Sequence, residues 1–371
     1  MHRANGHIRV LHSVGPGDLA GTQRALATYL EAADRDRFEH HVICRSDGGL
    51  VECLRRLDLH VTVVPARAYW HPAPAAKLAR TLRGGGFQLF HMNPSRVEGI
   101  IAHLLGVPVV CRRNVGFDPF WARWRQDGPL ARLLNAPIDR FIVPAAFLVG
   151  EYERRGVPRA RVRVVRNGVS ITAPAAAEIR RARREMGDGR APLVVSAGRL
   201  VGLKGHATLL RAVAALGRRR VNVRAAIIGD GEERAGLERL AADLGLRGRV
   251  RFIGWKPQVA PYLAAADLYA QPSLSEVLPN AVLEAMALGG CVAASDVGGM
   301  RDAITPGVNG ELVAPGDAEA LAAALRALLA NPERRGRLGA AARATIARDF
   351  TVAEMVRRTE AVYEELIEVT T

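Results

Sequence analysis

The chain has 371 residues, 49% of them hydrophobic and 24% charged, a composition that belongs to a soluble globular protein and excludes a disordered one. That length predicts two or three domains, each large enough for a core of its own. The net charge of +15 fits nucleic acid, an anionic membrane or an acidic substrate as partner, yet nearly all of it is arginine, with lysine only at Lys77, Lys204 and Lys256. In a chain rich in Ala, Gly and Val that skew reads as coding bias, and it gives each lysine more weight.

Met1 to His7 lead straight into an apolar run with no signal-peptide core, and no run reaches the length of a membrane span. A cytoplasmic protein is expected, with peripheral contact at the inner face of an anionic membrane. Cys44, Cys53, Cys111 and Cys291 form no C-x-x-C pair, so buried free thiols are expected rather than disulfides or a structural zinc.

Short apolar runs alternate with helical patterns along the chain, which predicts α/β architecture with parallel sheets. The first series places strands near 8–14, 40–45, 61–64, 87–92, 108–112, 140–143 and 162–166, with helices at 22–33, 49–57, 75–83, 96–105 and 145–155. The stretch 171–190, rich in Ala, Pro and Arg, reads as a linker. A second series follows, with strands near 193–197, 223–228, 250–253, 268–271, 291–294 and 310–313. After Gly316 the pattern is helical, through 317–330, 332–348 and 351–368. In such sheets ligands bind beyond the carboxyl ends of the strands.

Several strand-end loops carry chemistry. Gly15 to Gln23, after the first strand, is glycine-rich, and Gly17 and Gly21 would let backbone approach a phosphate or sugar. It lacks the G-x-G-x-x-G and acidic ribose residue of a dinucleotide site; an ordinary βα turn is the plain alternative. His91 and Asn93, in Phe90-His-Met-Asn, end the fourth strand, and Arg112 and Arg113 follow the fifth on the same rim. A lone histidine is more often structural. Asp34-Arg-Asp36 matches a D-x-D pattern but reads as a solvated turn, and nothing else resembles a metal site. Phe117 to Trp124, followed by Arg125, interleaves aromatic and basic residues as a membrane-facing or lipid-acceptor segment would, or simply as a helix packed on its own domain.

The second series is richer. Ser196 to His206 contains Gly198, Arg199 and Lys204; the guanidinium can fork two phosphate oxygens while the ammonium adds a point charge. Ile227-Ile-Gly229-Asp-Gly and Phe252-Ile253-Gly end later strands, where a base could lodge on main-chain groups, although packing explains most of those side chains. Glu276-Val277-Leu278-Pro279-Asn280 leads into a helix bearing Glu284. Proline suits a first helical turn, and the helix start favours an anion between the two carboxylates.

Taken together, Ala197-Gly-Arg-Leu…Lys-Gly-His, Ile228-Gly-Asp-Gly, Phe252-Ile-Gly, Glu276-x7-Glu284 with its Glu-Ala-Met-Ala ending, and Asn167-Gly-Val resemble the retaining GT-B glycosyltransferases of family 4. The likeness runs from the Gly15 loop to the last helices. It implies two Rossmann-like domains facing across a cleft: an acceptor domain at 1–170, joined by the helix at 351–371 crossing back to it, and a nucleotide-sugar donor domain at 191–350. By the same resemblance Arg199 and Lys204 bind the diphosphate, Glu284 the ribose and Glu276 the donor sugar, with no metal or cofactor required. The chain departs from the family pattern at Val277, where Glu-Gly is usual, at Ala20-Gly21, where two glycines stand, and at His91-Met-Asn93, where H-x-H is common; His91 is still expected to be catalytic, with Asn93, Arg112 and Arg113 as acceptor-side candidates. The reading is sugar transfer from a nucleoside diphosphate sugar to an acceptor hydroxyl of a glycan or lipid-linked acceptor, with retention, in cell-surface polysaccharide or glycolipid synthesis. The competing readings are a nucleotide-sugar 2-epimerase or glycan phosphorylase on the same fold, and a basic protein that binds polyanions without catalysis.

Overall fold

The computed structural model describes residues 7–15, 17, 21–65, 72–93, 96–112, 129–170, 172–187 and 189–370. The chain divides into two compact units, Met1–Gly168 together with Val352–Thr371, and Val169–Thr351. Arg113, Ala20 and the aromatic segment 117–125 lie outside the described residues.

The first unit is built on seven parallel strands: β1 (Ile8–Val14), β2 (Phe38–Cys44), β3 (His60–Val63), β4 (Leu89–Met92), β5 (Val109–Arg112), β6 (Arg140–Val143) and β7 (Val162–Val164). They lie in the order β3-β2-β1-β4-β5-β6-β7. The inner strands are almost wholly buried, as parallel strands covered by helices on both faces must be. On one face the helices Gly21–Ala32, Gly49–Arg56 and Val352–Thr370 contribute Leu30, Leu54 and Leu366 to a core with Val10, Val42, Leu89 and Val110. Glu365 of the last helix pairs with Arg140 at 2.8 Å and with Arg163 at 2.5 Å, which ties the helix to β6 and β7. The Asp34 carboxylate accepts from the backbone of Asp36 and Arg37 at 3.0 and 3.2 Å, so the D-x-D residues form a turn ahead of β2.

The second unit has six parallel strands: β8 (Leu193–Ala197), β9 (Arg224–Ile228), β10 (Val250–Gly254), β11 (Leu268–Gln271), β12 (Val292–Ser295) and β13 (Glu311–Val313). Their order is β10-β9-β8-β11-β12-β13. Alternation divides each strand between two cores. Leu193, Val195, Ile228 and Tyr269 face one side with the helices Ala176–Glu185 and Asn280–Ala287. Val194, Ile227 and Ala270 face the other with His206–Arg218 and Ala318–Leu329.

One expectation is corrected here. Half of the supposed linker at 171–190 is the helix Ala176–Glu185. Ile179, Ala182 and Met186 form an apolar stripe against the second unit's core, with arginines between them, a pattern the Ala/Arg composition conceals. Arg183 fixes the helix by donating to Asp267 at 2.9 Å and to the Ala265 carbonyl at 2.8 Å.

In each sheet the chain runs outward from a central strand in both directions. The reversals fall between β1 and β4 in one unit and between β8 and β11 in the other. Such switch points open a crevice at the carboxyl ends of the strands. All four cysteines are free thiols. Among the described residues no helix is long and apolar enough to cross a membrane.

Candidate active site

In the second unit the loops that leave β8, β9 and β11 hold one another by main-chain contacts. The Gly198 N–H donates to Ile228 O at 2.9 Å, and the Gly229 N–H to Gly254 O at 2.9 Å. Gly229 has φ of 135°, and a Cβ there would lie 1.9 Å from the Gly198 carbonyl oxygen. Gly205, with φ of 65°, lets the β8 loop pass so close to the β11 loop that a Cβ would meet Pro272 O at 2.0 Å. Only glycine permits both the conformation and the approach.

That approach brings Lys204 to Glu276. Their ammonium and carboxylate pair directly, with side chains 21% and 11% exposed. The lysine follows β8 and the glutamate follows β11, so the ion pair spans the switch point. The lysine stem lies over Gly198, its Cδ 3.6 Å from where a Cβ would stand. Arg199, one residue from Gly198, is exposed and makes no side-chain hydrogen bond or ion pair with the described residues. The strand ends therefore carry one partnered and one open cation.

Beyond Glu276, Val277 and Leu278 are buried, and the Gly299 N–H holds the Val277 carbonyl at 2.6 Å. Val277 is not among the residues with positive φ, so the backbone tolerates a side chain where the family pattern has glycine. Pro279 is the N-cap, with φ of −75° and ψ of 128°, and helical conformation begins at Asn280. Proline was expected inside the first turn; it lies one position ahead of it. No side chain caps this helix start, and the Val282 N–H bonds Pro279 O at 3.1 Å; the positive end of the helix dipole there suits an anion. Glu284 is half-buried in the second turn. Burial first, and then the charges of Glu284 and Glu276, hold the Tyr269 phenol well above its usual range. Ile253 is half-buried in β10 against the core. Trp255, just beyond that strand, is 66% exposed.

The sequence did not single out what supports Glu276. The Ser273 hydroxyl donates to its Oε1 at 3.1 Å, the Gln271 amide donates to Ser273 Oγ at 2.8 Å, and the Tyr269 hydroxyl donates to Gln271 Oε1 at 2.5 Å. The available signal was a glutamine closing an otherwise apolar strand.

The first unit places its predicted residues differently. Gly17 and Asn93 lie at the β1/β4 switch: the Gly17 N–H donates to Ser46 Oγ at 3.0 Å, and the Asn93 N–H to Ser13 O at 3.0 Å. Gly21 is the first residue of the helix Gly21–Ala32. His91, by contrast, is buried, 4% exposed, with Nδ1 on the Tyr363 hydroxyl of the last helix. Burial, then the Arg112 charge, pushes its pKa down to about 3. A neutral imidazole closed under a helix is a packed core group, which argues against the catalytic role expected for it. His12, its register partner on β1, and His40 complete a buried cluster, their rings joined at 3.0 Å. Arg112 is also buried, donating to Asn167 Oδ1 at 3.0 Å, and burial lowers its pKa to about 10. Its side chain is therefore an internal cation rather than a rim residue. Among the described residues no group of three or more His, Cys, Asp or Glu is placed to hold a metal ion.

Two Rossmann-like parallel-sheet units with glycine-crossed strand-end loops define a protein of the GT-B glycosyltransferase class. The description "Glycosyl transferases group 1" matches residues 179–345, and "Glycosyltransferase Family 4" matches residues 19–173. The D-inositol 3-phosphate glycosyltransferase of Streptomyces scabiei is 30% identical over 383 residues, covering 91% of this chain and 85% of that protein. The chain belongs to this glycosyltransferase family. Its match to the lipopolysaccharide core biosynthesis glycosyltransferase LpsE of Rhizobium meliloti is 41% identical over 161 residues, 43% of this chain and 46% of that protein. With LpsE and several of the inositol 3-phosphate enzymes the chain spans about half the relative's length. Anabaena HepE, solved in complex with UDP, shares the fold with a TM-score of 0.84 at 22% identity, over 97% of this chain and 100% of that one.

Proposed function

We propose that this protein transfers a sugar from a nucleoside diphosphate sugar to an acceptor hydroxyl with retention of anomeric configuration, in the synthesis of a cell-surface polysaccharide or glycolipid. The observation that carries the reading is the Lys204–Glu276 ion pair across the β8/β11 switch, with the open Arg199 beside it. A diphosphate arriving there meets two cations and an uncapped helix start, while a carboxylate stands next to it for a sugar hydroxyl. The solved complex of HepE with UDP and the names of the lipopolysaccharide and inositol relatives support a donor of this kind.

In this mechanism Arg199 and Lys204 stabilise charge that grows on the leaving diphosphate, the larger part of catalysis in such transfers. Glu276 accepts from a hydroxyl of the donor sugar, and Glu284 from the ribose. The departing phosphate takes the acceptor's proton on the same face, so the protein's task is positioning and electrostatics rather than covalent chemistry. Of the acceptor-side candidates in the first unit, Arg112 is buried, which leaves Asn93 and Arg113.

A thermal-shift screen of nucleoside diphosphate sugars tests the reading, because a ligand that binds only the folded state raises its melting temperature. The donor that shifts the protein is then incubated with lipid-linked and glycan acceptors, and the product anomer is read by NMR. A retained linkage formed only with acceptor present is expected. Isomerised donor without acceptor would instead identify an epimerase.

A further inference from the structure

Strand β11 carries two polar side chains, Tyr269 and Gln271, toward one face of the sheet, and Ser273 follows two residues on; all three are buried. The hydroxyls of tyrosine and serine each have a single proton to give. Tyr269 gives its proton to Gln271 Oε1, the Gln271 Nε2 gives one to Ser273 Oγ, and Ser273 gives its own to Glu276 Oε1. The chain of donors therefore runs one way and ends on one carboxylate oxygen. Lys204 donates to that same oxygen. The second oxygen, Oε2, makes no hydrogen bond with the described residues.

The direction depends on the Gln271 amide. Were it turned over, its oxygen would take the Ser273 proton and Glu276 would lose its neutral donor. For that, Tyr269 would have to donate to its other acceptor, the Ala197 carbonyl, which lies at 3.3 Å against 2.5 Å for Gln271. The shorter bond holds the amide in the orientation that feeds Glu276.

We propose that Tyr269, Gln271 and Ser273 are positioning residues that fix Glu276 by Oε1 and thereby present Oε2 to a hydroxyl of the donor sugar. The inference rests on reading this unit as the nucleotide-sugar site. Its weight is greatest once a diphosphate engages Lys204, because Ser273 is then the donor left on Oε1. The chain acts on the sugar half of the donor and leaves the nucleoside diphosphate half alone.

Calorimetric titration of the full chain with UDP, GDP, UDP-glucose and GDP-mannose, in wild type, Ser273→Ala and Tyr269→Phe, separates the two halves. For the sugar nucleotide that the wild type binds, both variants are expected to lose on the order of tenfold in affinity, the effect of one charge-assisted hydrogen bond, while the parent nucleoside diphosphate binds as before. Unchanged affinity for the sugar nucleotide in either folded variant overturns the proposal. So does an equal loss for both ligands, which marks a general structural role. If one variant fails to fold, the other carries the comparison. A wild type that binds none of the four ligands overturns the donor-site reading itself, and this inference with it.

Discussion

Arg199 and Lys204 stand five residues apart and differ in what their removal exposes. Arg199 is exposed and unpaired with the described residues, so Arg199→Ala is expected to leave the melting temperature essentially unchanged while turnover falls by about 100-fold, the usual scale for one electrostatic stabiliser of a leaving group. Lys204→Ala also uncovers a carboxylate only 11% exposed, so it is expected to lower both turnover and stability; kinetics beside thermal unfolding checks the contrast. These residues were legible in the sequence because charged side chains among glycines at a strand end have few structural uses. The supports of Glu276 were not, since Tyr269, Gln271 and Ser273 look like ordinary strand and turn residues until their side chains are seen in line. His91 misled for the opposite reason. A histidine ending a strand has the pattern of a cleft residue, but the tyrosine that closes over it lies 272 residues away in the chain.

Among elements, the helix Val352–Thr370 closes the core of the first unit although it lies at the far end of the chain. It buries Met355, Val362, Tyr363 and Leu366 against the sheet, so Tyr363→Ala is expected to destabilise the protein by about 3–5 kcal/mol, as for other buried aromatics, measured by denaturant unfolding. Beneath it, His12, His40 and His91 are buried, and desolvation lowers all three pKa values, that of His40 to about 4 and that of His91 to about 3. Groups with depressed folded-state pKa values contribute stability that is fully present above the unfolded value of about 6.5 and is lost as pH falls toward the folded value. Glu98 acts in the opposite sense: burial raises its pKa to about 7, which favours the folded state as the carboxyl takes up its proton. Four depressed histidines, these three and His206, against two raised carboxyls, Glu98 and Glu360, predict a melting temperature that falls between pH 6.5 and pH 4; a flat profile there would contradict the buried histidines. The strands and the helices after Gly316 were readable from period and composition, whereas the helix Ala176–Glu185 was not, because alanine and arginine hide its apolar stripe.

At the scale of the molecule, two sheets of the same kind each place glycine loops at a reversal of strand order, and HepE keeps that fold at only 22% identity. The fold class was legible because the succession of strands, helices and motif spacings is distributed along the whole chain and survives local errors. The proposed acceptor side was not legible in that way: of the side chains expected there, His91 and Arg112 proved to be core. The net charge of +15 bears on association with anionic surfaces rather than on the fold. In the proposed mechanism Arg199 and Lys204 stabilise the leaving group without a metal, so transfer is expected to survive a chelator, and loss of activity restored by a divalent cation would oppose this mechanism. The most direct test of the central claim is titration of the bound nucleoside diphosphate sugar into wild type and the Arg199→Ala/Lys204→Ala double variant. The account predicts a loss of affinity of at least about 100-fold, two charge-assisted contacts removed together; equal binding by the two proteins would contradict it.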